Sequence, residues 1–234
     1  MVETNVQQFV GPLSPIEKKN APLTLYLQGD ASLLRSGVRV CVIGTRKPTQ
    51  TGIESAKKFS EFLVHNKVTV VSGLAMGIDT VAHTTALACS GRTIAVLGTP
   101  LNQTSPTQNR SLQKRIGEEH LLLSQFAVGS KVSPGNFPLR NRTMALLSDA
   151  TIIIEAGKAS GTQHQGWEVL RLGRPLFILN TVIEAGFEWA VKMLNYGAIL
   201  LTDQKELYEF LPIHMDEVSG EQAFCGHFPL GGFK

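Results

Sequence analysis

The chain has 234 residues, of which 43% are hydrophobic and 18% are charged, and its formal net charge at pH 7 is +3. This size suits one α/β domain with a short appendage, and the mild positive charge permits a nucleic-acid partner without demanding one. No apolar run reaches the ~18 residues that span a bilayer, and we see no signal peptide. Three cysteines without metal-ligand spacing suit a reducing cytoplasm. We therefore expect a cytoplasmic protein with no membrane, metal or cofactor.

The composition divides the chain into three parts. Residues 1–22 are polar and rich in proline, and we interpret them as a lead-in segment with at most one short helix. Residues 23–212 carry the periodic patterns of a folded domain. Residues 213–234 contain a glycine-rich stretch and no periodicity, so we expect an irregular tail.

Strands alternate with helices along the domain. The predicted strands are Leu23–Asp30, Val38–Gly44, Val68–Gly73, Arg92–Gly98, Leu121–Gln125, Ala150–Glu155 and Pro175–Leu179. The predicted helices are Thr51–Asn66, Gly77–Ser90, Asn109–Glu119, Arg140–Leu147, Gly161–Leu172, Phe187–Asn195 and Lys205–Phe210, the last with Asp203 as its N-cap. This alternation predicts an α/β fold, a doubly wound and mostly parallel sheet with helices on both faces.

Two of the apolar strands end in small, polar and charged residues. The candidate contacts there are Gly44, Thr45, Arg46, Lys47, Ser72 and Gly73. In a doubly wound sheet, the carboxyl ends of the strands form the crevice where ligands bind. Glycine lets the backbone approach a ligand, and hydroxyl groups, free N–H groups and cations suit phosphate. The pattern predicts a phosphate-recognising crevice; the alternative is two ordinary turns whose cations are solvated.

A proline-bracketed turn opens a later helix with two arginines around an asparagine. The candidate binding residues are Asn136, Phe137, Arg140, Asn141 and Arg142. The amides offer donors and acceptors to a base or phosphate, and the phenylalanine could stack on an unpaired base. The alternative for Phe137 is simple packing under the loop.

A third turn, rich in small and hydroxyl residues, follows the strand Ala150–Glu155. Its candidate phosphate contacts are Lys158, Ser160, Gly161 and Thr162. Glu168, further along the same helix, could face the crevice, although a solvated helix glutamate is the alternative. His83 lies four residues after Asp79 on one helix face, where the pair suits either acid–base chemistry or a structural hydrogen bond.

Four segments together resemble one protein family. IGTR, SGLAMGIDTVAH, GRTIAVLG and PGNFPLRNR are similar to the signatures of the DprA/Smf family of DNA-processing proteins. The resemblance runs in register from about Leu25 to about Leu211, and several motifs in order are more specific than one glycine pattern. Thr45 replaces the usual serine and keeps the hydroxyl group, whereas Met76 stands where the family usually has a basic residue.

The resemblance implies a Rossmann-like domain that binds single-stranded DNA, acts without catalysis and helps to load the RecA recombinase. It implies a role in DNA uptake and recombination, and we also weigh defence against foreign DNA. Family members dimerise at the end of this domain, for which we expect the region Asn195–Leu201. The chain is too short for the full N-terminal helical domain and the C-terminal winged helix of many members.

A second hypothesis belongs to another class of function. The same crevice could bind a free nucleotide, either as a sensor or as an N-glycosidic hydrolase that uses Glu168 or Glu155. The related phosphoribohydrolases have paired glycines and a catalytic glutamate at closer spacing, and this chain has neither. A single-stranded DNA-binding protein is therefore the first hypothesis.

Overall fold

The computed structural model describes residues 2–157 and 161–213 of the chain. Nine strands form one sheet: β1 Val2–Thr4, β2 Leu25–Gly29, β3 Arg39–Gly44, β4 Thr69–Ser72, β5 Thr93–Leu97, β6 Leu121–Ser124, β7 Ala150–Glu155, β8 Leu176–Leu179 and β9 Ile199–Leu201. The helices are α1 Gln7–Val10, α2 Pro15–Asn20, α3 Gln50–His65, α4 Ile78–Ala88, α5 Arg110–Glu119, α6 Asn136–Leu147, α7 Gly161–Arg171, α8 Asn180–Glu184 and α9 Glu188–Asn195.

The strands lie in the order β1-β2-β6-β5-β4-β3-β7-β8-β9. Seven of them, from β6 to β9, pair in parallel, and β2 pairs antiparallel with both β1 and β6. Helix α3 packs against α4, and α6 packs against α7, so helices cover the sheet. The predicted α/β class and mostly parallel, Rossmann-like sheet are confirmed.

The β-branched and leucine-rich strands form the core because a sheet covered on both faces buries almost every side chain of its central strands. Val40, Val42, Ile152 and Ile154 are each 0% exposed. Cys41 lies among them as a free thiol, and burial raises its pKa to about 12.

The lead-in segment differs from the prediction of at most one short helix. It contains β1 and two short helices, and β1 pairs with β2 at the sheet edge. Val6 and Leu13 are buried, so the segment packs on the domain. The division at residue 22 stays a prediction, and the predicted tail lies almost wholly outside the described residues.

Near the other edge, residues 204–209 form a 3₁₀ helix rather than an α-helix. Asp203 caps it as predicted, with its side chain accepting a hydrogen bond from Lys205 N at 2.9 Å. Strand β9, which the sequence pattern did not predict, extends the sheet beyond β8. No helix within the described residues is long and apolar enough to cross a membrane, and a cytoplasmic location stays a prediction.

Candidate nucleic-acid interface

The candidate site lies where the chain reverses its direction across the sheet. From β3 the chain passes through α3 to β4 on one side, whereas from β7 it passes through α7 to β8 on the other. A groove of about 770 Å³ opens at the carboxyl ends of these strands. Its walls are the turn after β3, the segment around the start of α6 and the first turns of α7. This is the expected position of a ligand crevice in a doubly wound sheet.

The turn after β3 forms the first wall, and its backbone is held tightly. Gly44 approaches its neighbours so closely that an added Cβ would lie 2.5 Å from Ile78 Cγ1 and 2.8 Å from Glu155 O. Thr45 N donates to Glu155 O at 2.8 Å, which fixes the turn to the end of β7. Thr45 Oγ1 accepts from Lys47 N at 3.2 Å. The predicted turn is therefore present, and these two hydrogen bonds fix its backbone and the Thr45 hydroxyl group.

Arg46 and Lys47 are exposed at the rim of this groove. None of the ion pairs within residues 2–157 and 161–213 involves either of them. The Arg46 guanidinium lies 6.0 Å from the centroid of the Phe137 ring, within the range of a cation–π contact. Two cations of the first predicted motif are thus available to an anionic ligand.

The second predicted turn has a different role from the one expected. Ser72 is 0% exposed, and its hydroxyl group donates to Val42 O at 2.7 Å. Gly73 is buried as well, and its N–H donates to Asp79 Oδ2 at 3.2 Å. The prediction that Ser72 and Gly73 contact phosphate from the surface does not fit this geometry. Neither residue is among those that line the groove, and both are hydrogen-bonded within the fold.

Arg140 lies in a helix as predicted, but α6 begins four residues earlier than expected, at Asn136. Arg140 is 5% exposed, and it donates hydrogen bonds to Gly73 O and, at 3.0 Å, to Val96 O. A side chain at Gly73 would collide with its guanidinium group. Burial raises the pKa of Asp79, and the positive charge of Arg140 works against that rise. Arg140 lines the groove, but its guanidinium group is buried and hydrogen-bonded to two carbonyl groups. Its predicted role in binding stays a prediction.

Phe137 combines the two predicted alternatives. The half-buried ring packs on the backbone at Gly98, where an added Cβ would lie 2.6 Å from its Cδ1. The guanidinium groups of Arg46 and Arg140 each lie 6.0 Å from its centroid. Asn136 beside it is 7% exposed, and its Oδ1 accepts from Ser133 Oγ at 2.8 Å. Phe137 therefore lines the groove, whereas Asn136 supports the turn.

The two residues after Arg140 separate in their roles. Asn141 is half-buried and lines the groove as predicted. Arg142 instead donates its Nε–H to Glu168 Oε1 at 3.0 Å, and Glu168 also pairs with Arg171. Of the two predicted binding arginines, one is thus buried and the other is engaged in an ion pair, and their binding of a ligand stays a prediction.

The first turns of α7 form the opposite wall. Gly161 is exposed and Thr162 is buried, and both line the groove. The predicted contacts Lys158 and Ser160 lie outside the described residues. On this wall, sequence reasoning missed exposed His164 and buried Gln165, whose Nε2 donates to Cys41 Sγ at 3.3 Å. Their spacing from Gly161 along a helix was the available signal.

The candidate catalytic groups all have structural partners. Glu155 accepts from Thr49 N at 3.2 and 3.1 Å and so lies at the N-terminus of α3. Glu168 is held by its two arginines. His83 is fully buried, its Nδ1 lies 2.7 Å from Thr93 Oγ1, and burial lowers its pKa to about 3. A structural hydrogen bond, the alternative given for His83, fits its contact with Thr93. Glu168 is held in ion pairs rather than solvated, as its alternative had it.

Comparisons with known proteins agree with this geometry. The sequence model of the family described as DNA recombination-mediator protein A matches residues 6–212. Protein Smf of Synechocystis is 40% identical over 189 residues, which are 74% of this chain and 48% of that protein, so the chain spans about half its length.

Two solved structures are similar over most of the chain. The X-ray structure of DNA processing protein A from Streptococcus pneumoniae has a TM-score of 0.80 and 32% identity, and the match covers 91% of this chain and 75% of that one. DNA processing protein A from Helicobacter pylori has a TM-score of 0.75 and 27% identity, with 88% of this chain and 94% of that one covered.

Proposed function

Because the chain belongs to the DNA recombination-mediator protein A family, which includes the DprA and Smf proteins, we propose that it binds single-stranded DNA in the groove. The observation that carries the proposal is the pair of exposed cations at the rim beside Phe137, Arg46 and Lys47, which form no ion pair with any residue that the structure describes. The Helicobacter pylori structure is described for its single-stranded DNA binding mode, which supports the same ligand class here.

In this proposal, phosphates and bases contact different parts of the groove. Arg46 and Lys47 neutralise backbone phosphates, and such contacts supply most of the sequence-independent affinity. The half-exposed ring of Phe137 offers a surface on which an unpaired base stacks, a contact worth about 1–3 kcal/mol. Asn141 and Thr162 add polar groups along the two walls. Stacking needs unstacked bases, so the protein prefers single strands to duplexes.

The proposed activity is binding rather than hydrolysis of a nucleotide. A volume of about 770 Å³ also suits a small ligand, so volume does not decide between the two. The partners of the two candidate glutamates support binding, because Glu168 is neutralised by two arginines and Glu155 is bound at the start of α3. A general acid or base must reach the proton that it moves, and neither group is directed at a ligand in the groove.

We also propose a homodimer that presents the bound strand to RecA, as the family resemblance implies. The support is the outer edge of β9, which pairs with no further strand among the described residues, and the exposed side chains near it: Val191, Tyr196 and Leu200 are 45%, 74% and 40% exposed. An unpaired edge strand offers backbone groups for association with a second chain. Tyr196→Glu, compared with wild type by light scattering, tests the dimer; an unchanged mass would contradict it.

The proposed function is tested by fluorescence anisotropy with labelled oligo-dT. We expect single strands to bind more tightly than a duplex of the same length, and we expect AMP to compete poorly. The double variant Arg46→Ala/Lys47→Ala should lose affinity, whereas Lys18→Ala/Lys19→Ala, an adjacent exposed pair on α2, should keep it. Tight competition by AMP would favour the nucleotide-binding alternative. Equal losses of affinity in both double variants would exclude this groove as the DNA site.

A further inference from the structure

A second polar pocket lies on the far side of the loop after β5. This α5 pocket has a volume of about 570 Å³, and its lining includes Asn102, Gln103, Thr104, Arg110, Gln113 and Lys114. None of these six residues lines the groove at the strand ends. The two sites nevertheless share one loop, because Ser105 lines the groove and Thr104 lines the α5 pocket.

Gln113 gives the α5 pocket a defined hydrogen-bonding character. The residue is 5% exposed, and its Nε2 donates to Leu101 O at 3.0 Å and to Gln103 O at 3.2 Å. Two carbonyl acceptors fix the orientation of the amide, since turning it over would place its oxygen against both of them. Its Oε1 is left buried without a partner among the described residues. Buried polar groups are normally hydrogen-bonded, so this acceptor lacks a donor.

The rim of the same pocket carries positive charge. Arg110 and Lys114 lie one turn apart on α5. Lys114 Nζ lies 3.8 Å from Glu118 Oε1, and both side chains are well exposed. Exposed ion pairs of this kind are weak, so the Lys114 ammonium group can still interact with a ligand. Within the described part of the chain, Arg110 takes part in no ion pair. The pocket is thus lined by Gln113, whose amide oxygen lacks a donor among the described residues, and it carries cations at its rim.

We propose that the α5 pocket binds a further nucleotide of the same single strand, one whose base carries an exocyclic amino group. The amino group donates to Gln113 Oε1, and the adjoining phosphate contacts Arg110 and Lys114. Adenine, cytosine and guanine carry such a group and thymine does not. This inference rests on the proposed function, since the strand first occupies the groove.

The distance between the two sites permits one strand to reach both. Ser105 and Asn102 are three positions apart, and three extended residues span at most about 11 Å. A strand that leaves the groove over this loop therefore needs only a few nucleotides to arrive at the α5 pocket. Short oligonucleotides fill the groove alone, and longer ones fill both sites.

The test is a length series of oligo-dC and oligo-dT, measured by anisotropy with the full chain. We expect oligo-dC to bind more tightly than oligo-dT by about three- to tenfold once the length suffices for both sites, as one added hydrogen bond allows. At short lengths the two should bind alike. Gln113→Leu should remove the difference at long lengths.

Arg110→Ala provides a second variant at an exposed position, in case Gln113→Leu fails to fold. This substitution should weaken the binding of long oligonucleotides and leave the affinity for short ones unchanged. Arg115→Ala is its matched control, because Arg115 lies on the same helix outside the pocket and pairs with Glu119 at 2.9 Å. Equal effects of the two substitutions, or no preference for oligo-dC at any length, would overturn the inference while the groove still binds. Failure of every oligonucleotide to bind would overturn both proposals.

Discussion

The positively charged side chains at the two ends of the parallel strands differ in whether they have partners within the protein. At the amino ends of the strands, Arg39 donates to Asp149 and to Leu34 O at 2.7 Å, and Arg174 donates to Glu17 and to Ser148 O. Arg92 donates to Lys67 O at the same edge. At the carboxyl ends, Arg46 and Lys47 are exposed and, among the described residues, engaged in no ion pair.

The difference separates structural cations from cations available to a ligand. A paired cation has its charge and its donors satisfied within the protein, so its removal mainly affects folding. An unpaired cation at a groove contributes little to folding and can neutralise a phosphate. Arg140 tests the distinction, because it lies near the carboxyl ends of the strands but is buried and, like the arginines at the amino ends, hydrogen-bonded within the protein.

Arg140→Ala should produce the largest effect on folding. The substitution leaves Asp79 buried without its neighbouring cation and two carbonyl groups without a donor. A buried acceptor left without a donor costs about 1–3 kcal/mol, so two such carbonyl groups and the lost cation near Asp79 predict a total of about 3–5 kcal/mol. Urea unfolding should show a free energy of unfolding lowered by about that amount. Arg46→Ala is the control at the same ends of the strands. Similar losses of unfolding free energy in the two variants would show that burial does not distinguish these arginines.

The stability should also depend on pH through His83. Its pKa is about 3 in the folded protein and 6.5 as the ordinary value. Between these values the unfolded chain binds a proton that the folded protein does not, so the free energy of unfolding decreases as pH falls. The contribution is about 2 kcal/mol between pH 6.5 and about pH 5. The raised pKa of Asp79 has the opposite effect on stability. At pH values just above 3.8 the folded protein binds a proton at Asp79 that the unfolded chain has lost, so this group stabilises the fold as pH falls.

The variant His83→Gln isolates the histidine contribution. Urea unfolding at about pH 7 and about pH 5 should show a smaller loss of stability in His83→Gln than in wild type, by about 2 kcal/mol. His65→Gln makes the same change at an exposed histidine and should keep the wild-type dependence. Parallel pH profiles for wild type and His83→Gln would mean that His83 does not carry the effect.

Arg39→Ala should have a smaller effect and one confined to folding. The substitution removes hydrogen bonds to Asp149 and to Leu34 O. Hydrogen bonds of this kind contribute about 1–2 kcal/mol in total when one partner stays accessible to water, as the Asp149 carboxylate does. Urea unfolding measures the loss, and anisotropy with oligo-dT should show unchanged affinity. A loss of DNA affinity without a loss of stability would contradict the assignment of structural cations to the amino ends of the strands and of binding cations to the carboxyl ends.

Local sequence patterns were sufficient for the central sheet and the position of the groove. Apolar runs such as Val38–Gly44 end in turn residues, and parallel strands bring these ends to one edge. The antiparallel pair β1 and β2 was missed because Val2–Thr4 is too short to show a period. Its partner Leu25–Leu27 lies more than twenty residues away, and local periodicity carries no information about that pairing.

The roles of the two arginines in α6 were missed for a different reason. Asn136, Arg140, Thr143 and Leu147 follow helical spacing and are all buried. A stripe at this spacing indicates a buried helix face, but three of its four members are polar, so hydrophobic periodicity did not reveal it. Arg142 lies off the stripe, and its ion pair with Glu168 depends on the packing of α6 against α7. Such tertiary contacts are not encoded in either helix alone.

The most direct test of the central claim compares two arginines at opposite ends of β3. Arg46 follows the strand and lies 6.0 Å from the Phe137 ring; Arg35 precedes it, is also exposed, and lies 5.5 Å from the Phe9 ring. The measurement is the dependence of oligo-dT affinity on salt concentration. Arg46→Ala should lower the log–log slope by about 0.7, the value of one phosphate contact to a single strand. Arg35→Ala should leave the slope unchanged; an equal change in both variants, or none in Arg46→Ala, would contradict the account.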